Sequence, residues 1–435
     1  MTTHSPGEPR KETDDRSAHL TGHENAAPMQ AGPSGPLRGV RVVDLTRAVS
    51  GPFCTMMLGD LGAEVIKIEP PAGDLPRFAG PFTMDDSGRS FGGLFASINR
   101  NKLGIVLDLG VPADRERLLK LVDTADVLVE NYRSGVMERW GLEYEALHAR
   151  NPRLVYASIR GFGDPRTGAS PYMDWPAYDI VAQAMGGLVS MTGPAGDEGV
   201  RVGPTIGDLY PATLAAVGVL SALLHARATG EGQMVDVAMV DSIVSLCETA
   251  VYRYSYTGVV SRPAGNGHPQ LVPFDVFPTK DGQCAIAAPT DNHWKVLCET
   301  MGRPELVGDE RTRTNGDRVA NAELVYGAIA GWARERTTAE IAGELGGRVP
   351  VGPVNDAADL FTDPHVRARD MLVAVEQPGG ARPVVFPNCP IRFTATPSGV
   401  YRRPPVLGEH TEEVLARLDA EGAGDAGPWE GPAKG

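Results

Sequence analysis

Three aspartates, Asp179, Asp197 and Asp208, fall within residues 175–241, each beside Gly, Tyr or Pro in turn-like surroundings. A carboxylate so placed can attack an electrophile, take up a proton or cap a helix, and the first two roles need it held against a substrate away from bulk water. The same stretch has the chain's densest coincidence of acids, glycines and helix signals, which marks a site rather than a solvated face. Metal chemistry has no comparable support. Cys54, Cys247, Cys284, Cys298 and Cys389 are widely spaced, odd in number and form no CxxC pair, so neither a zinc cluster nor a disulfide framework is expected.

Spacing shows what must position these acids. Asp179, Val181, Ala182, Gln183, Met185 and Leu188 recur at helical intervals behind Pro176, predicting a helix from near Pro176 to the Gly186-Gly187 pair. Residues 193–203, with Pro194, Gly196 and Gly199, read as loop. Leu214, Val217, Val219, Leu220, Leu223 and Leu224, with small residues between them, predict a helix over 209–227 buried on most sides, followed by a strand over 234–237. An acidic loop is thus held between two packed helices.

The preceding chain alternates short apolar runs (GVRVVDL, EVIKIE, GIVLDL, DVLVENY, RLVYASIRGFG) with amphipathic helical patterns. That alternation predicts right-handed crossovers and an open parallel α/β sheet. Such sheets bind ligands at the carboxyl ends of their strands, so the turns 46–52, 70–77, 131–135 and 160–163 form the rim on which contacts are expected. The expected organisation is a disordered tail over 1–35, a large domain over 36–241, a linker helix over 242–262, a smaller α+β domain over 263–348, a return to the large domain over 349–418, and a disordered tail over 419–435. Short strands are expected in MLVAVEQP, ARPVVFP and IRFTA, and a terminal helix after His410-Thr411.

A net charge of −14 with dispersed basic residues argues against nucleic acid or an anionic membrane as partner. No apolar run of membrane-spanning length and no signal-peptide core is evident, so a cytoplasmic protein is expected.

These residues carry a resemblance. PLRGVRVVDLTRAVSGPFCTMMLGDLGAEVIKIEPPAGD, NRNKLGIVLDL, ADVLVENYRSGVMERWGL, NPRLVYASIRGFG, YDIVAQAMGGL, GDL, RATGEGQMVDVAM, VPVGPVND and PPVLGEHTEEVL, in that order over about residues 36–418, resemble the class III CoA-transferases of the formyl-CoA and carnitine type. The resemblance implies a Rossmann-like large domain built from the N- and C-terminal parts, a small middle domain, and a homodimer of interlocked rings. It further implies a coenzyme A thioester as substrate, a carboxylic acid as acceptor and no metal. The implied route runs through an aspartyl anhydride and an aspartyl-CoA thioester.

The family's nucleophile lies a few residues after a Thr-Gly pair, here Thr192-Gly193. Aligned without gaps, that position falls on Gly196, with Asp197 one place later; Asp197 is therefore the first candidate, with Asp179 and Asp208 as alternatives. Otherwise Asp179 caps or pairs within its helix, Asp208 caps the helix beginning near Leu209, and Asp197 is a solvated loop acid. By the same resemblance Lys102, Arg139 and Arg160 stand where relatives bring cations to the CoA phosphates. Asn131, Tyr132 and Phe162 line the adenine and pantetheine path. One departure is Pro70, at the place of a relative's arginine, which leaves Arg77 or Arg100 to supply the charge. Gly265 and Gly267, next to His268, match a glycine-rich loop that closes over the intermediate. An α-methylacyl-CoA racemase is the alternative reading, weakened because Tyr178 replaces its histidine. A catalytically silent CoA-binding homologue is the other.

Overall fold

The computed structural model describes residues 26–422 except 84, 85, 87, 88, 90, 379 and 381. The disorder expected for 1–25 and 423–435 lies outside the described residues.

β-branched runs form the strands and the patterns between them the helices, in the order β1 (Arg41–Asp44), α1 (Ser50–Asp60), β2 (Glu64–Glu69), α2 (Gly93–Ile98), β3 (Lys102–Val106), α3 (Pro112–Asp123), β4 (Val127–Glu130), α4 (Val136–Trp140), α5 (Tyr144–Arg150) and β5 (Val155–Arg160). Then come α6 (Asp179–Met185), α7 (Leu188–Met191), α8 (Ile206–Thr229), β6 (Met234–Ala238), α9 (Met239–Leu246) and α10 (Glu248–Thr257). The six strands make one parallel sheet in the order β3-β2-β1-β4-β5-β6. Strand alternation sends Val42, Val65, Val127 and Val129 into a core with α1 and α8, and Val43, Ile66 and Leu128 into a second core with α3, α5 and the C-terminal helix. Both faces are covered, which is why these strands read as continuous apolar runs. The chain starts at β1, winds outward one way to β3 and then the other way from β4, so a crevice opens between the turns after β1 and β4.

Several boundaries differ from expectation. The linker helix is two helices meeting at Cys247. The smaller sheet is β7 (Phe274–Pro278), β8 (Gln283–Ala287) and β9 (Val351–Pro353), so it recruits a strand from beyond residue 348. β10 (Leu372–Val375) and β11 (Val384–Pro387) form as expected and pair with each other, whereas IRFTA forms no strand. Residues 26–35 are not a free tail: Ala27 exchanges backbone bonds with Leu372 and Ala374, and Gln30 N donates to Val400 O at 2.7 Å. The terminal helix, Thr411–Gly422, overruns the tail boundary at 419, and Lys120 Nζ meets Asp419 at 3.1 Å. By length and composition α8 could cross a membrane, as no other described helix could; here it packs against α1, α6, α9, β5 and β6 as a core helix. Small residues such as Ala212, Ala215, Ala216 and Ala222 face that packing.

A fully buried ionic knot underlies the rim. Lys102 Nζ donates to Asp44 Oδ2 at 3.0 Å, Pro52 O at 2.9 Å and Asn99 Oδ1 at 2.8 Å, which uses all three of its protons. Burial alone would raise the Asp44 carboxyl, but Lys102, Lys67 and the hydroxyls of Thr46 and Thr55 outweigh it and hold it at about 2. Burial in turn pulls Lys102 down to about 8 despite Asp44, so the pair stays ionised at neutral pH. Lys102→Ala would strand a buried carboxylate and should cost about 3–5 kcal/mol in chemical denaturation. A variant of unchanged stability that loses affinity for CoA would instead make Lys102 a phosphate ligand.

Candidate active site

A crevice of about 430 Å³ opens at the point where the strand order reverses, lined by the turns after β1, β2, β4 and β5 and by the segment entering α6. All four rim turns contribute: Arg47 to Ser50, Asp74 and Leu75, Asn131 to Ser134, and Arg160 with Gly161. Trp175, Tyr178 and Met239 add an apolar wall, and Asp208 from α8 reaches the same space.

Asp208 is held there through its own main chain and leaves its carboxylate free. α8 begins at Ile206, so Asp208 lies inside its first turn rather than ahead of it, and it forms no capping bond; the capping role expected from the sequence is not what it does. Its backbone carbonyl accepts from Ser50 Oγ at 2.9 Å, joining α8 to the start of α1. No side-chain partner for Asp208 occurs among the described residues. Burial, and then the charge of Asp179, push its carboxyl from the ordinary value up to about 7.

Asp179, by contrast, is occupied. Its oxygens accept from Gln183 Nε2 at 2.8 and 3.0 Å, from Gly207 N at 2.8 Å and from Arg201 at 3.3 Å. It therefore ties α6, the 193–203 loop and the start of α8 together, close behind Asp208. Gly207 makes this approach possible: a Cβ there would sit 2.6 Å from Asp179 O and 3.0 Å from Asp179 Oδ1. Asp197 is elsewhere. It is exposed on a turn closed by its own N–H to Pro194 O, and it does not line the crevice. The glycine-rich loop touches that turn, with Gly265 N donating to Gly193 O at 2.9 Å, while a Cβ on Gly267 would face Asp275 and Tyr326.

The expected binding residues divide. Asn131 and Tyr132 line the crevice, with the Tyr132 ring edge-on to Trp140 at 5.3 Å. Arg160 also lines it, but two of its guanidinium nitrogens are bound to Glu130 at 3.0 Å and Asp164 at 2.7 Å, and its buried Nε has no partner. Phe162 lies behind the wall, packed with Tyr172 and Trp175. Arg139 is exposed on α4 and does not line the crevice, and Lys102 is enclosed in the ionic knot. Neither substitute for the arginine missing at Pro70 is available, since Arg77 grips Glu69 and Arg100 grips Asp60 in the interior. Arg47, Asp74, Arg133 and Trp175 escaped individual notice in the sequence; their one signal was a place in or near a predicted turn. Among the described residues no cluster of His, Cys, Asp and Glu could hold a metal ion.

The sequence profile described as CoA-transferase family III matches residues 37–411. The chain belongs to this family. Succinyl-CoA:mesaconate CoA-transferase of Haloarcula hispanica is 47% identical over 381 residues, which cover 88% of this chain and 96% of that protein. The succinate–glutarate CoA-transferase of Agrobacterium fabrum is 35% identical over 400 residues, covering 88% and 96%. Among solved structures, a CAIB/BAIF family protein from Brucella suis superposes with a TM-score of 0.79 at 34% identity, covering 89% of this chain and all of that one. The transferase is thus an enzyme whose crevice holds one unpartnered, desolvated acid.

Titration of that acid should show in stability. The folded value of Asp208, about 7, lies above the unfolded value of about 3.9. The protonated folded form is therefore favoured, and the stability it contributes is complete below about pH 4 and lost as pH rises to about 7. Asp208→Asn cannot titrate, so its advantage over the wild type in urea midpoints should grow between pH 5 and 8, by roughly 1–3 kcal/mol. A difference independent of pH would show that Asp208 is solvated.

Proposed function

We propose that this transferase moves coenzyme A from an acyl-CoA thioester to a free carboxylic acid with Asp208 as the nucleophile. The observation that carries the reading is that Asp208 is the acid on the crevice wall whose carboxylate has no partner and little water. A carboxylate Oδ attacks the thioester carbonyl, the C–S bond breaks, and CoA leaves as thiolate from an acyl-aspartyl anhydride. The thiolate attacks the aspartyl carbonyl of that anhydride and releases the donor acid, leaving an aspartyl-CoA thioester. The acceptor carboxylate repeats the first step on this thioester, and the thiolate then takes the acceptor acyl group and frees Asp208. Charge balances at each stage with no proton to move, so no general base is needed.

Tyr132 and Arg133 on the crevice, with Arg139 just beyond on α4, offer aromatic and cationic surface for the nucleotide end of coenzyme A. The acids used by the relatives, succinate with mesaconate or glutarate, are short dicarboxylates, and a cavity of about 430 Å³ suits an acyl group of that size with the thioester end. A homodimer belongs to the same reading. It is supported by apolar side chains left outward on α9 and α10, Tyr256 being 88% exposed. Free, buried cysteines fit a cytoplasmic setting.

Incubation with succinyl-CoA and hydroxylamine, followed by peptide mapping, should place a hydroxamate on Asp208. Asp208→Asn should lose the adduct and at least about 10³-fold in kcat, while Asp197→Ala keeps both. Activity should rise with pH through about 7 as the free carboxylate ionises. A label on Asp179 or Asp197 would move the nucleophile. Exchange of the α-proton without CoA transfer would favour a racemase, and neither reaction a silent homologue.

A further inference from the structure

Arg47 stands on the crevice wall in the turn between β1 and α1, and its main chain is fixed unusually well. One side chain clamps it from both sides: Asn131 Oδ1 accepts from Arg47 N at 2.8 Å and Asn131 Nδ2 donates to Arg47 O at 2.8 Å. The next residue, Ala48, has φ 60°, in the left-handed region that a side chain disfavours. Its N–H is held by both oxygens of Asp74, at 3.1 and 3.3 Å, and Lys67 Nζ stands 3.7 Å from the same carboxylate. Strain kept in place by this many bonds points to a turn whose position matters. Ser50, three residues on, bonds the Asp208 carbonyl, so the turn and the nucleophile's helix are fixed to each other.

The guanidinium at the end of this framework is nearly uncommitted. Its Nε is 4.0 Å from Asp74 Oδ1, and the side chain is 44% exposed. Arg160 is already paired twice, and Arg133 is exposed at the mouth. A dicarboxylic acyl group brings a free carboxylate into a crevice that holds Asp208 with Asp179 just behind it, and two negative charges in such a space repel unless a cation meets one of them.

We propose that Arg47 is the specificity-determining residue that binds the free carboxylate of a dicarboxylic substrate while its reacting carbon faces Asp208. This rests on the CoA-transfer reading and adds the acceptor class to it. Asn131 is then a positioning residue, acting through the Arg47 main chain rather than on coenzyme A.

The test compares glutarate with valerate, acids of equal chain length that differ in one carboxylate, as acceptors from succinyl-CoA. Arg47→Gln should lower the ratio of kcat/KM for glutarate to that for valerate about 10- to 100-fold, since a site built for a polar group discriminates by its loss. Arg47→Lys should recover part of that ratio, which damage to the fold would not do. Calorimetric binding of the two free acids to wild type and Arg47→Gln reads the same preference without turnover. Selective glutarate binding that depends on Arg47 in a protein that transfers no CoA would uphold the inference and sink the transfer reading. An unchanged glutarate-to-valerate ratio, as a contact to the CoA phosphates would leave, overturns the inference.

Discussion

A carboxylate is a weak nucleophile while water surrounds it, and taking it out of water costs free energy that the fold must recover elsewhere. With Asp208 read as the nucleophile, the crevice is organised around that constraint. Asp208 is brought into a partly dry space beside a second carboxylate, and its raised value of about 7 records the cost. Asp179 can stand so close because its own charge is met by Gln183, Gly207 N and Arg201. Gly207 lets the two chain segments approach within a distance that any side chain would forbid.

Beneath this pair the sheet supplies rigidity through ion pairs rather than through apolar packing alone. Asp44 with Lys102, Glu69 with Arg77, Asp60 with Arg100 and Glu130 with Arg160 all lie in or at the edge of the interior. Each charge is paired where it stands, which makes the pairs tolerable. They are weak sources of net stability, and removal of one partner is what exacts a penalty. Their effect is geometric: they tie β1 to β3, β2 to the turn that follows it, the end of α1 to the entry of β3, and β4 to β5, so the rim is fixed before a ligand arrives. Preorganisation of this kind reduces what substrate binding must spend on ordering the site.

The same pairs explain why cations lost their expected roles. A lysine or arginine near the end of a strand has the right sequence position for phosphate, yet an acid on another strand can claim it first. Lys102 meets Asp44, which lies 58 positions away in the chain. Arg47 meets Asp74 only loosely, at 4.0 Å, and its turn is held chiefly by bonds to its main chain.

Local pattern was sufficient for the parallel sheet, because strands buried on both faces must be apolar throughout and helices covering them must be amphipathic. The ordered family segments and the rim of four turns followed from the same text, as did Asn131 and Tyr132 on that rim. Short-range pattern failed where a fate depended on long-range pairing: residues 26–35 are ordered by Leu372 and Val400, β9 by β8. The choice among Asp179, Asp197 and Asp208 could not be made from spacing. All three sit in turn-like text, and what separates them is solvent and partners. Asp197 faces water, Asp179 is bonded from three directions, and Asp208 is desolvated and unbonded. The sequence by itself determined which elements of the parallel sheet form and where their ligand-facing ends lie, since periodicity and turn chemistry are local. Which acid is free to react was decided by the tertiary structure, because desolvation and competition for hydrogen bonds exist only once distant segments have packed.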